Sequence, residues 1–471
     1  MWMVASTCMV FKRKRIRSTS YLALWLGKLV YLLLRALRKK GTSLPGLLLW
    51  RIRPSLLQEL LQQLDQCVLV TGTNGKTTTT ALLHAMLDHE EDPWITNRGG
   101  ANLIQGLLAA LLQNVSFSGR MLAKNAVLEV DEATFPHVMT RVSPTVLVVT
   151  NVLRDQLDRY GEVDQALTLI RQGILLHPES QVVVNADDPL SASLGVDREL
   201  TYFYGMAVTP HHDPHRAEVR DGAFCLHCGH ELHYEGFIYG QMGYYECPSC
   251  GFARPAPHFS GVPDEAKKYL QVTETNRQVA SSVYTFHAPM FGIYNWYNLL
   301  SAIATARILG RSPRILQDSI QRFVAPTGRM QTFAGSPRRI LTLIKNPTGA
   351  NSVLRAIESD EEQKSICFTI NDNDADGRDV SWLWDIDLTS FVANATCQKY
   401  YCAGTRALDM ALRLTYAGVA RDQLELIESL EKVDPATKEA QGKVYILSTY
   451  TALHKLAAQF GEQHQGKVGR V

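Results

Sequence analysis

Residues 67 to 87 read CVLVTGTNGKTTTTALLHAML, a short apolar strand, then a glycine-bearing turn, then an apolar-periodic helix. Backbone amides freed by Gly72 and Gly75 can point at phosphate oxygens, and the helix start adds unpaired amides and a positive dipole end. Lys76 supplies a positive charge for outer phosphates, and the Thr77 hydroxyl is placed for Mg²⁺. The stretch therefore predicts a phosphate-binding turn rather than a plain connection.

Four apolar runs in the first half of the chain are candidates for buried strands: CVLVTG, NAVLEV, TVLVVTN and QVVVNADDP. Each is followed by polar or glycine-containing residues and then by a longer periodic segment, which is the pattern of a parallel sheet covered by helices. The loop VAPTGRMQ at 324 to 331 marks a boundary, and a second α/β unit follows with RILTLIK, SICFTIN, ATCQKYYCAG and KVYILSTYTALHKL. The sequence predicts two α/β units.

A magnesium site needs several hard oxygen ligands, which should come from neighbouring strand ends. NAVLEVDEATF offers Glu129, Asp131 and Glu132 just past a strand. We predict Glu129 as the ligand, and we expect one of the other two to be solvated or to cap a helix. VVNADDP offers a second set, which serves either as ligands or as a simple turn: Asn185, Asp187 and Asp188.

Four of the nine cysteines form a C-x2-C, 18-residue, C-x2-C pattern: Cys225, Cys228, Cys247 and Cys250. Glycine follows each pair, at Gly229 and Gly251, and lets amides face the thiolates. This spacing predicts a closed tetrahedral Cys₄ zinc ribbon with a structural role, in an inserted module at about 205 to 265; two disulfides are the alternative. The other cysteines lack pair spacing, which favours a reducing, cytoplasmic compartment.

The first 53 residues carry a basic excess, in FKRKRIR, LLLRALRKK and LLLWRIRP. The apolar run YLALWLGKLVYLLL (21 to 34) contains Lys28 and is shorter than the roughly 20 residues that cross a bilayer. Basic residues rather than a small-residue cleavage site follow it, which disfavours a signal peptide. Two interpretations stay open: a packed amphipathic helix, or a helix in peripheral contact with an anionic membrane face.

Six motifs in order resemble the ATPase core of the Mur ligase and folylpolyglutamate synthase superfamily: GTNGKTTT, EVDEATF, TNVLRDQLDRYG, VVNADDP, FGIYNWYNLLSAIATA and APTGRMQ. Those enzymes join an amine to a carboxylate through an acyl phosphate. The resemblance covers roughly residues 45 to 450. It implies that ATP is bound by Thr73, Asn74, Gly75, Lys76, Thr77, Thr78 and Arg329, that Asn295 and Asn298 lie at the base, and that Thr77 and Glu129 hold Mg²⁺.

Three features depart from the superfamily pattern. Gln156 in DQLD stands where a metal-binding histidine is common. Only about 70 residues precede the phosphate-binding turn, so we expect the UDP-binding domain of the peptidoglycan ligases to be absent. The cysteine insert is the third departure.

A loop with five aspartates follows SICFTI: Asp372, Asp374, Asp376, Asp379 and Asp385. Five nearby carboxylates repel one another unless they are solvated or bind a cation, so a solvated turn is one interpretation. NDNDADGRDVSWLWD and the earlier KNPTGAN also resemble the MurT family, the ligase-like subunits of lipid II isoglutaminyl synthases. The predicted zinc insert and the expected absence of a UDP-binding domain fit that family too.

This second resemblance implies an ATP-dependent amidation of the α-carboxyl of D-glutamate in the lipid II stem peptide. Ammonia would come from a glutaminase subunit (GatD in the family) in a heterodimer. An aspartate of the loop would complete the partner's Cys-His pair. We predict Asp372, directly after the strand, with Asp376 as second choice.

The resemblance implies a fold of three parts: a basic apolar leader helix at 1–44, a P-loop parallel-sheet Mur ligase central domain with the Cys₄ ribbon at 45–325, and a smaller Rossmann-like α/β domain at 326–471. Two other functions stay open, an amino-acid-adding ligase of the same superfamily and a zinc-ribbon nucleic-acid-binding NTPase. The insert carries few Lys or Arg residues, so no nucleic-acid partner is expected.

Overall fold

The computed structural model describes residues 15–37, 43–97, 101–155, 163–208, 221–276, 279–288 and 292–468, with the backbone alone at 276, 279–280 and 462–468. Gln156 lies outside these ranges, as do the basic residues of the leader at 12–14 and 38–40. No helix in the described ranges is both long enough and apolar enough to cross a bilayer.

Eleven strands are described in the first unit: β1 (Gln66–Thr71), β2 (Trp94–Ile95), β3 (Asn125–Glu129), β4 (Val146–Val149), β5 (Gln181–Asn185), β6 (Thr201–Met206), β7 (His233–Tyr239), β8 (Met242–Glu246), β9 (Phe259–Asp264), β10 (Tyr269–Asn276) and β11 (Val279–His287). Nine form one sheet in the order β11-β10-β9-β6-β5-β4-β1-β3-β2, and β7 and β8 form a separate hairpin. The sheet is parallel from β2 to β9, and β10 and β11 extend it in antiparallel fashion.

Ten helices belong to the described part of this unit: α1 (Tyr21–Ala36), α2 (Leu44–Ile52), α3 (Ser55–Leu61), α4 (Lys76–Leu87), α5 (Ile104–Gln113), α6 (Phe135–Met139), α7 (Val163–Leu175), α8 (Pro189–Ala192), α9 (Ile293–Ile308) and α10 (Pro313–Gln321). They cover both faces of the sheet. Leu69 packs on the side of α2, α3 and α5, whereas Val68 and Val70 pack on the side of α4 and α9. Because side chains alternate along a strand, a strand covered on both faces is apolar throughout.

The second unit has six described strands and five helices: β12 (Gln331–Phe333), β13 (Arg338–Leu343), α11 (Pro347–Glu358), β14 (Lys364–Thr369), α12 (Leu388–Asn394), β15 (Cys397–Ala403), α13 (Ala407–Tyr416), β16 (Leu424–Leu426), α14 (Val433–Ala436), β17 (Lys443–Ser448) and α15 (Tyr450–Val468). The sheet order is β12-β13-β17-β14-β15-β16. All pairs are parallel except that of β12 with β13. The loops after β13, β14 and β17 therefore leave the same edge of the sheet.

The four predicted strands of the first unit are β1, β3, β4 and β5, and the predicted apolar segments of the second contain β13, β14, β15 and β17. The hairpin of β10 and β11 was not predicted, although buried Leu270 and Val272 alternate with polar residues. The insert range 205–265 is too wide, because β9 pairs directly with β6 in the main sheet. Of the described residues in this range, 207–208 and 221–258 lie outside that sheet. The boundary proposed after residue 325 lies between α10 and β12.

Candidate active site

The phosphate turn, residues 72–75, joins the end of β1 to the start of α4. Gly72 and Gly75 have φ of 116° and 88°, values that side chains with a Cβ rarely adopt. A Cβ on Gly75 would also lie 2.1 Å from Oδ1 of Asn298. Glycine is therefore needed both for the turn and for the close approach of α9.

Lys76 is buried, and its ammonium is enclosed by the turn that precedes it. Nζ donates to the carbonyl oxygens of Gly72 and Thr73 and lies 3.0 Å from Oε2 of Glu132. Burial acts to lower the pKa of Lys76, but the surrounding carboxylates, Glu132 foremost, outweigh it and raise that pKa. The lysine is held in its charged form, with a protein carboxylate as the counter-ion.

Glu129, the last residue of β3, and the two acidic residues that follow the strand, Asp131 and Glu132, are all buried. Oε1 of Glu129 accepts a hydrogen bond from Nδ2 of Asn102 at 3.2 Å. Oδ1 of Asp131 accepts a hydrogen bond from the backbone N of Ala133 at 3.1 Å, within the turn that precedes α6. The N-cap of α6 is Thr134, so the expectation that Asp131 or Glu132 is solvated or caps a helix was wrong. Glu132 is neither solvated nor a cap. Burial raises the pKa of Glu132, while the positive charge of Lys76 opposes that shift.

A cavity of about 390 Å³ lies between the two units, a volume typical of small-molecule sites. Residues 73–78 and Glu129 line it from the first unit, and Arg329, Lys345 and Asp376 line it from the second. Eight of the nine residues predicted to contact the nucleotide line this cavity: Thr73, Asn74, Gly75, Lys76, Thr77, Thr78, Asn298 and Arg329. Asn295 does not line it.

The two asparagines of α9 contact each other and the start of α4. Nδ2 of Asn298 donates to Oδ1 of Asn295 at 3.4 Å, and the Asn298 oxygen accepts from Oγ1 of Thr79 at 3.5 Å. These contacts hold α9 against the phosphate turn. Contact between these asparagines and a nucleotide base stays a prediction.

Arg329 lies in the cavity on the connection that leads from the first unit into β12. Burial lowers the pKa of Arg329, and the carboxylate of Glu129 acts in the opposite direction. The Arg329 guanidinium thus lines the same cavity as the Glu129 carboxylate, which is predicted to hold Mg²⁺.

The loop after β13 brings two further polar side chains to the phosphate turn. Nζ of Lys345 donates to the carbonyl oxygen of Thr73 at 3.2 Å and forms an ion pair with Asp155. Asn346 and Asn74 exchange two side-chain hydrogen bonds, of 3.1 and 3.2 Å. The second unit therefore adds a second cation to the phosphate-binding region.

Two aspartates of the acidic loop face different surroundings. Asp376 is 4% exposed and lines the cavity. Its carboxylate accepts hydrogen bonds from the backbone N and Oγ1 of Thr451, at 2.7 and 2.5 Å. The Asp372 side chain is 31% exposed, accepts from Oγ1 of Thr405 at 2.7 Å, and lies 3.6 Å from Nη1 of Arg406. Asp376 points inward, whereas Asp372 is open to the outside.

The four predicted zinc-ligand sulfur atoms converge, all within 4.8 Å of one another. Gly229 and Gly251 have φ of 75° and 76°, and their amides donate to the carbonyl oxygens of Cys225 and Cys247 at 2.8 and 3.1 Å. All four thiols are free, which contradicts the alternative of two disulfides. The donor set and its two tight turns fit a tetrahedral metal ion with no open position.

The NADDP loop anchors the cysteine module rather than facing the cavity. Asp187 accepts hydrogen bonds from Nε of Arg254 at 2.6 Å and from the Tyr297 hydroxyl at 2.5 Å. Asp188 accepts from Nε2 of Gln241 at 2.5 Å and caps α8. Burial raises the pKa of Asp188 to about 7. Of the two interpretations of this stretch, the structure supports a turn, with the added role of holding the ribbon.

Comparisons with known proteins agree with this geometry. The family model described as Mur ligase middle domain matches residues 70–219, and that described as MurT ligase C-terminal matches residues 343–453. The lipid II isoglutaminyl synthase (glutamine-hydrolyzing) subunit MurT of Staphylococcus aureus is 30% identical over 447 residues, which cover 94% of this chain and 98% of the relative. The chain belongs to the MurT family. The equally named subunit of Streptococcus pneumoniae is 32% identical and covers 88% of this chain and 91% of its own.

Membership of the MurT family makes the chain a ligase of peptidoglycan synthesis. Neither an amino-acid-adding ligase nor a nucleic-acid-binding NTPase is favoured by these relatives. Both relatives are named as a subunit, which implies that MurT-family chains work with a partner chain.

Solved structures share the fold of this MurT-family chain. A pseudomurein peptide ligase type C from Methanothermus fervidus superposes with a TM-score of 0.65 at 21% identity, over 86% of this chain and 81% of its own. A MurF ligase from Thermotoga maritima, solved in complex with ADP, superposes with a TM-score of 0.57 at 15% identity, over 88% of this chain and 84% of its own. These likenesses confirm the predicted Mur ligase α/β fold.

The ion pairs of two site residues of the MurT-family chain, Glu132 and Lys345, were not predicted from the sequence. Glu132 stands in the EVDEATF motif, and its position just after a strand was the available signal. Lys345 opens the quoted stretch KNPTGAN at the end of β13, in the same kind of strand-end position. Neither could be paired with its partner without the fold, because Lys76 is 56 residues from Glu132 and Asp155 is 190 residues from Lys345.

Proposed function

We propose that this chain is the ATP-using subunit of a lipid II isoglutaminyl synthase. In this proposal a carboxylate oxygen of the D-glutamate α-carboxyl attacks the γ-phosphorus of ATP, the β–γ phosphoanhydride bond breaks, and ADP leaves. Ammonia then attacks the carbonyl carbon of the acyl phosphate, the carbon–oxygen bond to phosphate breaks, and a proton is lost. The product is D-isoglutamine in the stem peptide, with ADP and phosphate.

A carboxylate is a poor acyl donor, so it needs a leaving group before an amine can displace oxygen. The residues of the cavity suit that activation because three cations lie beside the phosphate turn, where phosphate charge must be offset. Four carboxylates also line the cavity, at Glu129, Asp131, Asp155 and Asp376, and oxygen ligands of this kind suit Mg²⁺. Lys76, Lys345 and Arg329 are the cations of the cavity wall. Thr77 and Glu129 would hold Mg²⁺, which would offset further phosphate charge.

One observation carries the proposal: the phosphate turn and the acidic loop of the MurT-type domain line the same cavity. Lys76 belongs to the ATPase unit, whereas Asp376 belongs to the second unit, 300 residues later in the sequence. A site that joins a phosphate-binding turn to a second α/β unit is suited to bring a phosphorylated carboxylate and a nucleophile together.

The partner would be a glutaminase subunit of the GatD type, which forms a heterodimer with this chain and releases ammonia from glutamine. Asp372 is our choice for the aspartate that orients the partner's histidine, because its carboxylate reaches the surface. Asp376 is less suited to that role, since it is buried and both its oxygens accept hydrogen bonds from Thr451.

The surface beside Asp372 supports docking of that partner. Asp372 lies next to Arg406, and Arg406 directly precedes α13. One face of α13 is apolar and exposed, with Leu408, Leu412 and Tyr416. The exposed Trp384 ring extends this face, 5.5 Å from the ring of Tyr416. Aromatic and apolar side chains rimmed by charges are typical of protein interfaces. We place the glutaminase on this face.

The proposed substrate carries a lipid anchor, so the reaction would take place at the cytoplasmic face of the cell membrane. The enzyme is then expected to be cytoplasmic with peripheral contact to the bilayer. The Cys₄ cluster would hold Zn²⁺ and keep the β7–β8 hairpin folded, away from the reaction.

Co-expression with a glutaminase subunit tests the function. The purified pair should convert lipid II to its amidated form in the presence of ATP and glutamine, as followed by mass spectrometry. Lys76→Ala should abolish ATP turnover while the partner stays bound, and Lys267→Ala, an exposed lysine away from the cavity, should behave as the wild type. An intact pair that releases ammonia but leaves lipid II unchanged would contradict the proposal.

A further inference from the structure

Helix α1 presents apolar side chains to solvent along one face. Six large exposed residues, here called the α1 stripe, recur at intervals of three, four and seven residues: Leu22, Trp25, Leu26, Leu29, Leu32 and Leu33. Residues at this spacing share one side of a helix. Leu22 is 66% exposed and Leu33 is 55% exposed, so these side chains are not marginal members of the core.

The opposite face of α1 accounts for its attachment to the protein. Ala23, Leu24 and Gly27 are buried, and a Cβ on Gly27 would lie 2.8 Å from Cδ2 of Leu49 in α2. The helix is therefore fixed on the body of the protein by its small-residue side. The α1 stripe is thus the outer surface of α1. In a helix that faces only water, this surface would be polar.

A neighbouring loop extends the apolar surface. Phe117 is exposed, its carbonyl oxygen accepts a hydrogen bond from Nε1 of Trp25 at 3.0 Å, and Nζ of Lys28 lies 5.4 Å from its ring centroid. Continuous exposed apolar surface of this kind marks an interaction site.

The charge around the stripe points to an anionic partner. Lys28 and Arg35 are seven residues apart, so they lie on the same side of α1. The first 58 residues contain twelve Lys and Arg residues and no Asp or Glu. A segment whose charged residues are all basic and which is rich in leucine and tryptophan has the composition of helices that lie in the interface of an anionic bilayer.

The position of α1 links this surface to the cavity. Helix α2, on which α1 packs, approaches α5 so closely that a Cβ on Gly46 would lie 1.7 Å from the carbonyl oxygen of Gln105. Ser43, directly before α2, and Gln105 both line the cavity. The stripe and the cavity wall are thus separated by one layer of packed helices.

We propose that the α1 stripe, with Phe117, is a membrane-docking surface that lies in the headgroup region of an anionic lipid bilayer. The helix lies parallel to the membrane plane, the leucines and Trp25 enter the acyl boundary, and Lys28 and Arg35 contact anionic headgroups. Docking brings the cavity to a membrane-anchored substrate; this purpose rests on the proposed function, whereas lipid binding itself does not.

Vesicle flotation with the full chain in complex with its glutaminase partner tests this surface. The complex should float with phosphatidylglycerol vesicles and much less with phosphatidylcholine vesicles. The variant Leu22→Gln/Leu29→Gln/Leu33→Gln should lower the partition coefficient at least about tenfold. Lys28→Gln/Arg35→Gln should weaken binding to phosphatidylglycerol and reduce its dependence on salt.

The matched control is Leu175→Gln/Leu176→Gln/Leu200→Gln, which changes three exposed leucines outside the N-terminal helices and should float like the wild type. Both triple variants should keep the wild-type melting temperature, because the replaced side chains are outside the core. Amidation of detergent-solubilised lipid II should also be unchanged in both, so that loss of docking and loss of catalysis can be told apart.

Three outcomes would overturn the proposal. The wild-type complex could fail to float with phosphatidylglycerol vesicles, or the stripe variant could float as well as the wild type. Alternatively, the stripe variant could release the glutaminase or change the oligomeric state in light scattering, which would assign the α1 stripe to a protein interface. A complex that floats as expected but does not amidate would refute the proposed function and leave the docking surface standing.

Discussion

Nζ of Lys76 lies 3.0 Å from Oε2 of Glu132, and both side chains are buried. Lys76, directly after the phosphate turn, therefore has a carboxylate as its counter-ion. Phosphate oxygens of a bound nucleotide would approach the same ammonium, so nucleotide and Glu132 would compete for it. One substitution at Glu132 should then affect the nucleotide-free and the nucleotide-bound protein differently.

Glu132→Gln should lower the free energy of unfolding of the nucleotide-free protein by about 1.5–3 kcal/mol, the usual contribution of a hydrogen bond to a charged group. It should also increase the stabilisation that ADP and Mg²⁺ produce, because the ammonium no longer has to leave a charged partner. Denaturant unfolding with and without ADP measures both effects. Glu199→Gln, an exposed carboxylate elsewhere, is the control, and an ADP effect no larger than that of the wild type would refute the competition.

Lys345→Ala should lower the rate of ATP turnover in the complete complex about tenfold or more, since it removes a cation that reaches the phosphate turn from the second unit. Release of ADP in the presence of substrate and glutamine measures this rate. Lys432→Ala, an exposed lysine of the same unit, should leave the rate unchanged. Lys345 would have no part in the site if its removal left ATP turnover intact.

Asp372→Asn should impair glutamine hydrolysis by the complex while ATP binding survives, because its surface carboxylate is proposed to act on the partner's histidine. Asp376→Asn should instead lower the melting temperature, because it weakens two buried hydrogen bonds to Thr451. Glutaminase assays and thermal unfolding separate the two effects. Asp374→Asn, at an exposed residue paired with Arg378, is the control. Normal glutaminase activity of Asp372→Asn would move the role to another residue.

Replacement of the outer cysteines, Cys228→Ser/Cys250→Ser, should reduce bound zinc from one ion per chain to none, as measured by elemental analysis. Since a structural metal contributes folding free energy, the melting temperature should fall as well. Cys397→Ser, in β15 and outside the cluster, should retain the ion. Full zinc content in the double variant would place the metal elsewhere.

Asp188 should make stability depend on pH. Burial raises the pKa of Asp188 from its usual value of 3.8 to about 7 in the folded protein. The folded state then binds the proton more tightly than the unfolded state, so this stabilisation is present below pH 4 and is lost as pH rises towards 7, at no more than about 1.4 kcal/mol per pH unit.

Unfolding of the wild type and of Asp188→Asn across this range checks the dependence. The stability difference between the two proteins should shrink as pH increases from about 4 to 7, since the asparagine does not titrate. A constant difference would show that Asp188 is ionised throughout.

Local sequence patterns were sufficient to predict the elements in which consecutive residues all fit the pattern. The apolar runs of β1, β3, β4 and β5 and the glycines of the phosphate turn are readable because burial on both faces and positive φ each demand particular residue types. The cysteine spacing was equally informative. Six of the eight predicted nucleotide contacts that line the cavity are consecutive residues, 73–78, at the end of β1 and the start of α4, so a single motif located them.

Other parts depend on contacts between distant segments. The hairpin of β10 and β11 alternates polar and apolar residues over a short length, and it was hidden beside the cysteine module. The partners of Lys76 and Lys345 come from loops that only the fold brings together. The opposite orientation of Asp372 and Asp376, four residues apart, follows from Thr451 on the inside and Arg406 on the outside.

The pairing of β6 with β9 has an evolutionary consequence. Two parallel neighbours need a crossover of a dozen or more residues in any case, and here that crossover contains the whole cysteine module. The strand order would survive if the crossover were shortened, although the contacts of the module with the main unit would be lost. These contacts include the hydrogen bonds of Asp187 with Arg254, of Asp188 with Gln241 and of the Ala186 carbonyl oxygen with Tyr245. The length of the chain between β6 and β9 can therefore change without changing the order of the strands that position the cavity.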